Sequence, residues 1–221
     1  MATLSALYLA LDDPDRVIDA LRARAAEVGG EPVESGRLEH DAAFYDGDDF
    51  FETFAARPRT FAIGVQEPGW VTVHAGAFEG VGELADALSA QLGARVVTGQ
   101  GQTTAEAWRV SLHEKGRTLR YLEFADGDWV AQRGAPLSFE SQPLGTNIAE
   151  PDEEPFYDFG FDEVTAYCGE LGFQFWSDRQ PESGWVWIRG GTAAARPVVP
   201  GADASAESGS SKPWWRRLLG L

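Results

Sequence analysis

Apolar residues run from Leu4 to Leu11 at strand length, and a polar helix start follows directly. Asp12-Asp13-Pro14-Asp15 supplies an aspartate cap, proline for the first turn and extra negative charge at the positive dipole end. Val17, Leu21, Ala25 and Val28 then recur at helical spacing until Gly29-Gly30 stops the helix. The stretch from Glu31 to Asp49 has no clear period. In it the pair Phe44-Tyr45 sits among Asp41, Asp46, Asp48 and Asp49, and a short helix capped by Asp48 or Asp49 is expected over Phe50 to Phe54.

Strands are expected at Thr60 to Val65 and Trp70 to His74, joined by a turn at Pro68-Gly69. Leu84, Leu88 and Leu92 mark a second helix that ends at Gly93, with a strand at Ala94 to Thr98. A meander follows. In Ala107 to Leu112 the residues Trp108, Val110 and Leu112 share one face, with His113 opposite. Glu114 to Arg117 turns into Thr118 to Phe124, and Asp126-Gly127 turns that strand into Asp128 to Gln132.

The order strand, helix, two strands, helix, strand predicts an α+β fold: a ferredoxin-like split β-α-β core extended by an antiparallel meander. Residues 1–135 form this core domain, and residues 136–160 read as an acidic linker or loop. Residues 161–189 read as a small subunit packed on the core. It comprises a helix over Asp162 to Leu171 and a hairpin of Phe173 to Trp176 with Trp185 to Ile188. The composition then collapses to Gly, Ala, Pro, Ser and Thr, so 190–211 reads as a flexible linker before a tail at 212–221.

Charge narrows the partners. The 221 residues hold 35 acidic against 18 basic side chains, a formal charge of −17, which opposes direct nucleic-acid binding. Only Lys115 and Lys212 are lysines, which suggests a bacterial source of high GC content. No apolar run approaches the length of a membrane span, and the start lacks the basic region of a secretory signal, so a cytoplasmic location is expected.

Candidate chemistry is sparse. Cys168 is the single cysteine and reads as a small buried hydrophobe. His40, His74 and His113 stand in no spacing that demands catalysis or metal binding. Asp46, Asp48 and Asp49 lack the calcium-loop pattern, so no metal and no cofactor is expected. Gly99 to Thr104 superficially suggests a phosphate loop, but it has no P-loop lysine and no following helix, which favours a strand or hairpin connection. The tryptophans that fall on strands read as sheet packing.

The tail is the non-generic feature. On a wheel of ~100° per residue, Trp214, Trp215, Leu218, Leu219 and Leu221 fall within an arc of roughly 160°, with Arg216 and Arg217 outside it. From Arg196 onward the formal charge is +2, leaving −19 on the rest. Trp214, Trp215, Arg216, Arg217, Leu218 and Leu219 are therefore the candidate binding residues. Their expected target is a partner protein with a basic face or hydrophobic groove, weak contact with the inner membrane surface, or the chain's own acidic body. The expected function is a non-enzymatic bacterial interaction protein: an adaptor, an inhibitor or an immunity-type module. The alternative is a small hydrolase or transferase with a dispersed site around His74, His113 and the acids of 41–49.

Overall fold

The structure, a computed structural model, describes residues 3–29, 34–38, 60–75, 80–102, 106–141, 143–149, 156–177 and 179–189. It is mixed α and β. β1 (Thr3–Ala10), β2 (Glu34–Leu38), β3 (Thr60–Glu67), β4 (Trp70–Ala75), β5 (Val96–Gln102), β6 (Ala107–Glu114), β7 (Arg117–Ala125) and β8 (Asp128–Arg133) are joined by β11 (Trp185–Arg189) in one sheet. The spatial order is β2-β11-β3-β4-β1-β5-β6-β7-β8, and the neighbours pair antiparallel. β9 (Thr146–Asn147) and β10 (Tyr157–Asp158) form a separate two-stranded ribbon.

Two apolar layers flank the sheet because its strands alternate. On one face lie α1 (Pro14–Gly29) and α2 (Val81–Leu92). Val17, Leu21 and Ala25 of α1 and Val81, Ala85 and Leu88 of α2 pack on Leu7, Leu9, Val71, Val73 and Val96. Asp13 caps α1 through its Oδ1, which accepts the Asp15 N–H at 3.1 Å. On the other face lies α3 (Phe161–Glu170), whose Val164, Tyr167 and Cys168 meet Tyr8, Trp70, Val97 and Trp108.

Both meander turns need left-handed backbone at two successive residues. Lys115 and Gly116 have φ of 51° and 76°, and Asp126 and Gly127 have φ of 54° and 77°. This is the backbone of the tight hairpin turn whose twist matches the strands.

Three expectations are corrected. The unperiodic stretch after α1 contains a strand, β2, although Glu34 to Leu38 carries no apolar alternation; it is an edge strand held by β11, with Gly36 opposite Trp187. A Cβ on Gly36 would stand 2.7 Å from the Trp187 indole nitrogen, so the tryptophan lies over a residue that cannot be larger. The C-terminal hairpin does not form. Trp185–Arg189 pairs with β3 and β2 in the main sheet, while Phe173 and Phe175 turn into the core as a loop. Phe173 stacks on Tyr8 with ring centroids 4.3 Å apart, and Gln66 Nε2 donates to the carbonyls of Ser177 and Arg179 at 2.8 Å each. Finally, the described part of 136–160 is no spacer between units: Leu137, Phe139, Leu144 and Phe159 belong to the core beside α3.

The expected short helix over 50–54 lies outside the described residues, as do the acids of 41–49. Among the described residues, no helix is long and apolar enough to cross a membrane.

Candidate functional site

α2 packs along β5, β6 and β7, and a polar groove of about 620 Å³ opens against its flank. Asp86 on α2 and Thr98, Gln100, Arg109, Ser111 and His113 on the strands all line it. His113 Nδ1 lies 2.7 Å from Asp86 Oδ1, and its Nε2 lies 2.7 Å from Ser111 Oγ. Ser111 Oγ is in turn hydrogen-bonded to Thr98 Oγ1. The order carboxylate, imidazole, hydroxyl is that of a nucleophilic relay. The surroundings favour a different use. Ser111 is 3% exposed, shares its hydroxyl with Thr98, and sits mid-ladder between Thr98 and Tyr121, where its own N–H is committed to the sheet.

The same flank of α2 is tied down one turn later. Ser89 Oγ accepts the Gly116 N–H at 2.9 Å and donates to the Asp86 carbonyl at 2.9 Å. Asp86 and Ser89 thus latch α2 to the β6–β7 hairpin. Sequence reasoning missed this cluster. The available signal was Ser111-x-His113, two polar residues on the strand face opposite Trp108, Val110 and Leu112.

Further out in the groove, Arg109 pairs with Glu123 at 2.7 Å, and Tyr121 donates to the other Glu123 oxygen at 2.7 Å. Arg109 and Arg133 both stand over the Tyr121 ring, at 5.6 and 5.4 Å. Burial and the Glu123 hydrogen bond push the Tyr121 hydroxyl well above its ordinary range.

His74 does not join His113. It sits on the α3 side of the sheet, with Trp176 and Trp185 rings at 4.6 and 5.0 Å, and burial lowers its pKa to about 3. The imidazole is therefore neutral at physiological pH. Cys168 is buried in the same layer, and burial pushes its thiol far above the range of a reactive cysteine. Gly99 and Gly101 lie within β5, and any Cβ there would collide with the rings of Phe175 and Trp108. They are glycines for aromatic packing, not for a phosphate.

A second feature lies at the sheet end formed by Gln102, Ala107 and Asp128. There Ile148, Phe156 and Phe161 are 56%, 46% and 39% exposed. The Phe156 N–H is tied to the Asn147 side chain and its carbonyl accepts the Ile148 N–H at 2.9 Å, so the two apolar side chains share the β9–β10 ribbon. Phe156 reaches the β7–β8 turn at Gly127, and the Phe161 ring stands 5.7 Å from Trp108. Residues 134–178, which contain this patch, carry ten carboxylates and no Lys, Arg or His.

Of the tail residues expected to bind, Trp214, Trp215, Arg216, Arg217, Leu218 and Leu219 lie outside the described residues, as does His40. Among the described residues, no group of three or more His, Cys, Asp and Glu could hold a metal ion. Comparison with protein-family models, curated proteins and solved structures finds no match, so the functional reading rests on the chain's own residues.

Proposed function

We propose that this chain is a non-enzymatic interaction protein of the adaptor, inhibitor or immunity type, whose acidic body receives a basic partner. One observation carries the reading: Ile148, Phe156 and Phe161 stay exposed at one sheet end, within a 45-residue stretch that holds, besides the buried Glu140, nine carboxylates and no cation. Aromatic anchors inside a charged rim are the anatomy of a docking site: the rings supply affinity and the rim steers encounter. In this reading the setting is the bacterial cytoplasm. The tail from Lys212 is a second docking element, able to reach a partner groove or an inner-membrane surface. The core is read as a ferredoxin-like split β-α-β unit, supported by the strand order β3-β4-β1-β5 with α1 and α2 on one face.

The test is capture of partners from the source organism by the wild-type chain and by a Phe156→Ser/Phe161→Ser variant. The reading requires a basic protein that the variant retains several-fold less, and whose association slows from low to physiological salt. Capture indifferent to both changes removes it.

The relay order Asp86–His113–Ser111 favours a second reading, a small hydrolase or transferase working in the groove. Labelling of Ser111 by a fluorophosphonate, abolished in Ser111→Ala and His113→Asn, would establish it. Absence of labelling leaves the cluster as the latch that holds α2.

A further inference from the structure

We propose that the patch formed by Ile148, Phe156 and Phe161 is a receptor for a basic, tryptophan-bearing segment, and that its occupant in the free protein is this chain's own tail, Lys212 to Leu221. The inference rests on the interaction reading above and specifies the chemistry of the ligand.

Charge and apolar surface complement each other. The tail carries Lys212, Arg216 and Arg217 and no acid, with Trp214, Trp215 and three leucines beside them. The patch offers two exposed phenylalanines and an isoleucine, with Asp126, Asp128 and Asp162 exposed at the same sheet end. Phe161 and Phe156 would meet the indoles, and the carboxylates would meet the arginines.

Geometry allows the contact in cis. β11 ends at Arg189, opposite Thr60, and the patch lies beyond Ala125 and Asp128. The pairings of Phe61 with Ala75, Thr3 with Gln102 and Gln102 with Ala107 place both at the same end of the sheet. From β11 to β8 there are seven strand spacings, ~34 Å at ~4.8 Å each. From their Gly, Ala, Pro and Ser composition, residues 190–211 read as a tether of 22 residues. Its coil dimension is about 26 Å and its full extension about 70 Å, so the span sits inside its reach. An intramolecular ligand on such a tether acts at roughly millimolar effective concentration, so an intrinsic dissociation constant of about the same size suffices to occupy the patch half of the time.

The experiment uses the full chain with the photoreactive residue p-benzoylphenylalanine at position 156, and separately at 161, irradiated at micromolar concentration. The expected product is a monomer in which that position is joined to a peptide within 212–221. Its yield falls several-fold in Trp214→Ala/Trp215→Ala, in Arg216→Glu/Arg217→Glu and at ~1 M salt, where the Debye length is about 3 Å. A folded chain whose patch joins no tail peptide overturns the inference. So does a product formed only between an isotopically labelled and an unlabelled copy, which would assign the tail to a second molecule. These failures differ from failure of the interaction reading: the tail can be absent from the patch while Phe156→Ser/Phe161→Ser still releases a basic partner.

Discussion

Arg120 and Glu140 form an ion pair of 2.6 Å whose side chains are 3% and 0% exposed. Arg120 Nε donates to the second carboxylate oxygen at 2.9 Å, which also accepts the Tyr167 hydroxyl at 2.7 Å. Arg120 Nη1 further donates to the carbonyls of Arg133 and Gly134 at 3.2 and 3.3 Å. One cluster thus joins β7, the end of β8, the following loop and α3. Burial alone would raise the Glu140 carboxyl, but the Arg120 and Tyr167 hydrogen bonds outweigh it and hold it below the usual carboxylate range.

Removing one partner leaves a buried charge without compensation, which costs about 3–5 kcal/mol. Glu140→Ala and Arg120→Ala should each lower the urea midpoint sharply, whereas Tyr167→Phe, which deletes one of several hydrogen bonds, should cost about 1–2 kcal/mol. Equilibrium urea unfolding followed by circular dichroism measures all three. Equal small losses would mean that the pair is not structural.

How legible these features are in the sequence differs by kind. The strands and turns of the meander are readable because each step is local: alternation places Trp108, Val110 and Leu112 on one face, and the Asp126-Gly127 turn needs left-handed backbone that glycine supplies. The role of Glu140 is not readable. Its partner Arg120 stands 20 residues away, and although alternation places Arg120 on the face of Leu122 and Phe124, nothing local names the carboxylate that pairs with it. The groove cluster escapes for the same reason, since Asp86 reaches His113 across 27 residues. The joining of β11 to β2 and β3 is obscured because Trp185 to Ile188 follows a nearer apolar run, Phe173 to Trp176, and closing the shorter loop costs less entropy.

The glycines of β5 give a steric prediction. Gly99→Ala and Gly101→Ala place a methyl against the rings of Phe175 and Trp108. Both rings are buried, so the strain should cost about 1–3 kcal/mol at each position. The check is a lowered urea midpoint with an unchanged slope. A change within ~0.3 kcal/mol would show that the rings give way freely.

His74 makes stability depend on pH through a sign that can be worked out. Its folded pKa is about 3 against 6.5 for the free side chain, so between these values the unfolded chain binds the extra proton. The contribution is complete above pH 6.5 and is lost as pH falls, by about 2 kcal/mol at pH 5. His74→Phe should flatten the stability profile between about pH 6.5 and 4.5, leaving the steeper loss below to carboxylates such as Glu140. Denaturant titrations at a series of pH values decide this. Parallel profiles for the two proteins would remove His74 as the cause.

The latch on α2 should behave as a unit. Asp86→Ala removes the acceptor of His113, and Ser89→Ala removes the acceptor of the Gly116 N–H. Each change should cost about 1–2 kcal/mol, because a partly buried donor is left without its acceptor. The double variant should fall short of the sum, since both ties hold the same flank of α2 to the β6–β7 hairpin and loss of one already loosens the other. Full additivity would show that the two ties act independently.

Truncation after Gly190 separates the body from everything that follows β11. The described core layers draw on residues up to Ile188, and β11 ends at Arg189, so the cut removes no residue of the sheet. A tail held on the patch by its tether adds stability only through its differential binding to the folded chain. With an effective concentration near its dissociation constant, that amounts to about 0.4 kcal/mol. The melting temperature should therefore fall by no more than about 2 °C, a shift within the range expected for a few tenths of a kcal/mol in a chain of this size. The exposed Phe156 and Phe161 should at the same time become more available. Binding of a hydrophobic fluorescent dye should rise in the truncated chain and return to baseline when Phe156→Ser/Phe161→Ser is added. A fall of many degrees would instead make the segment after Arg189 part of the folded core. An unchanged melting temperature with unchanged dye binding would mean that the tail does not cover the patch.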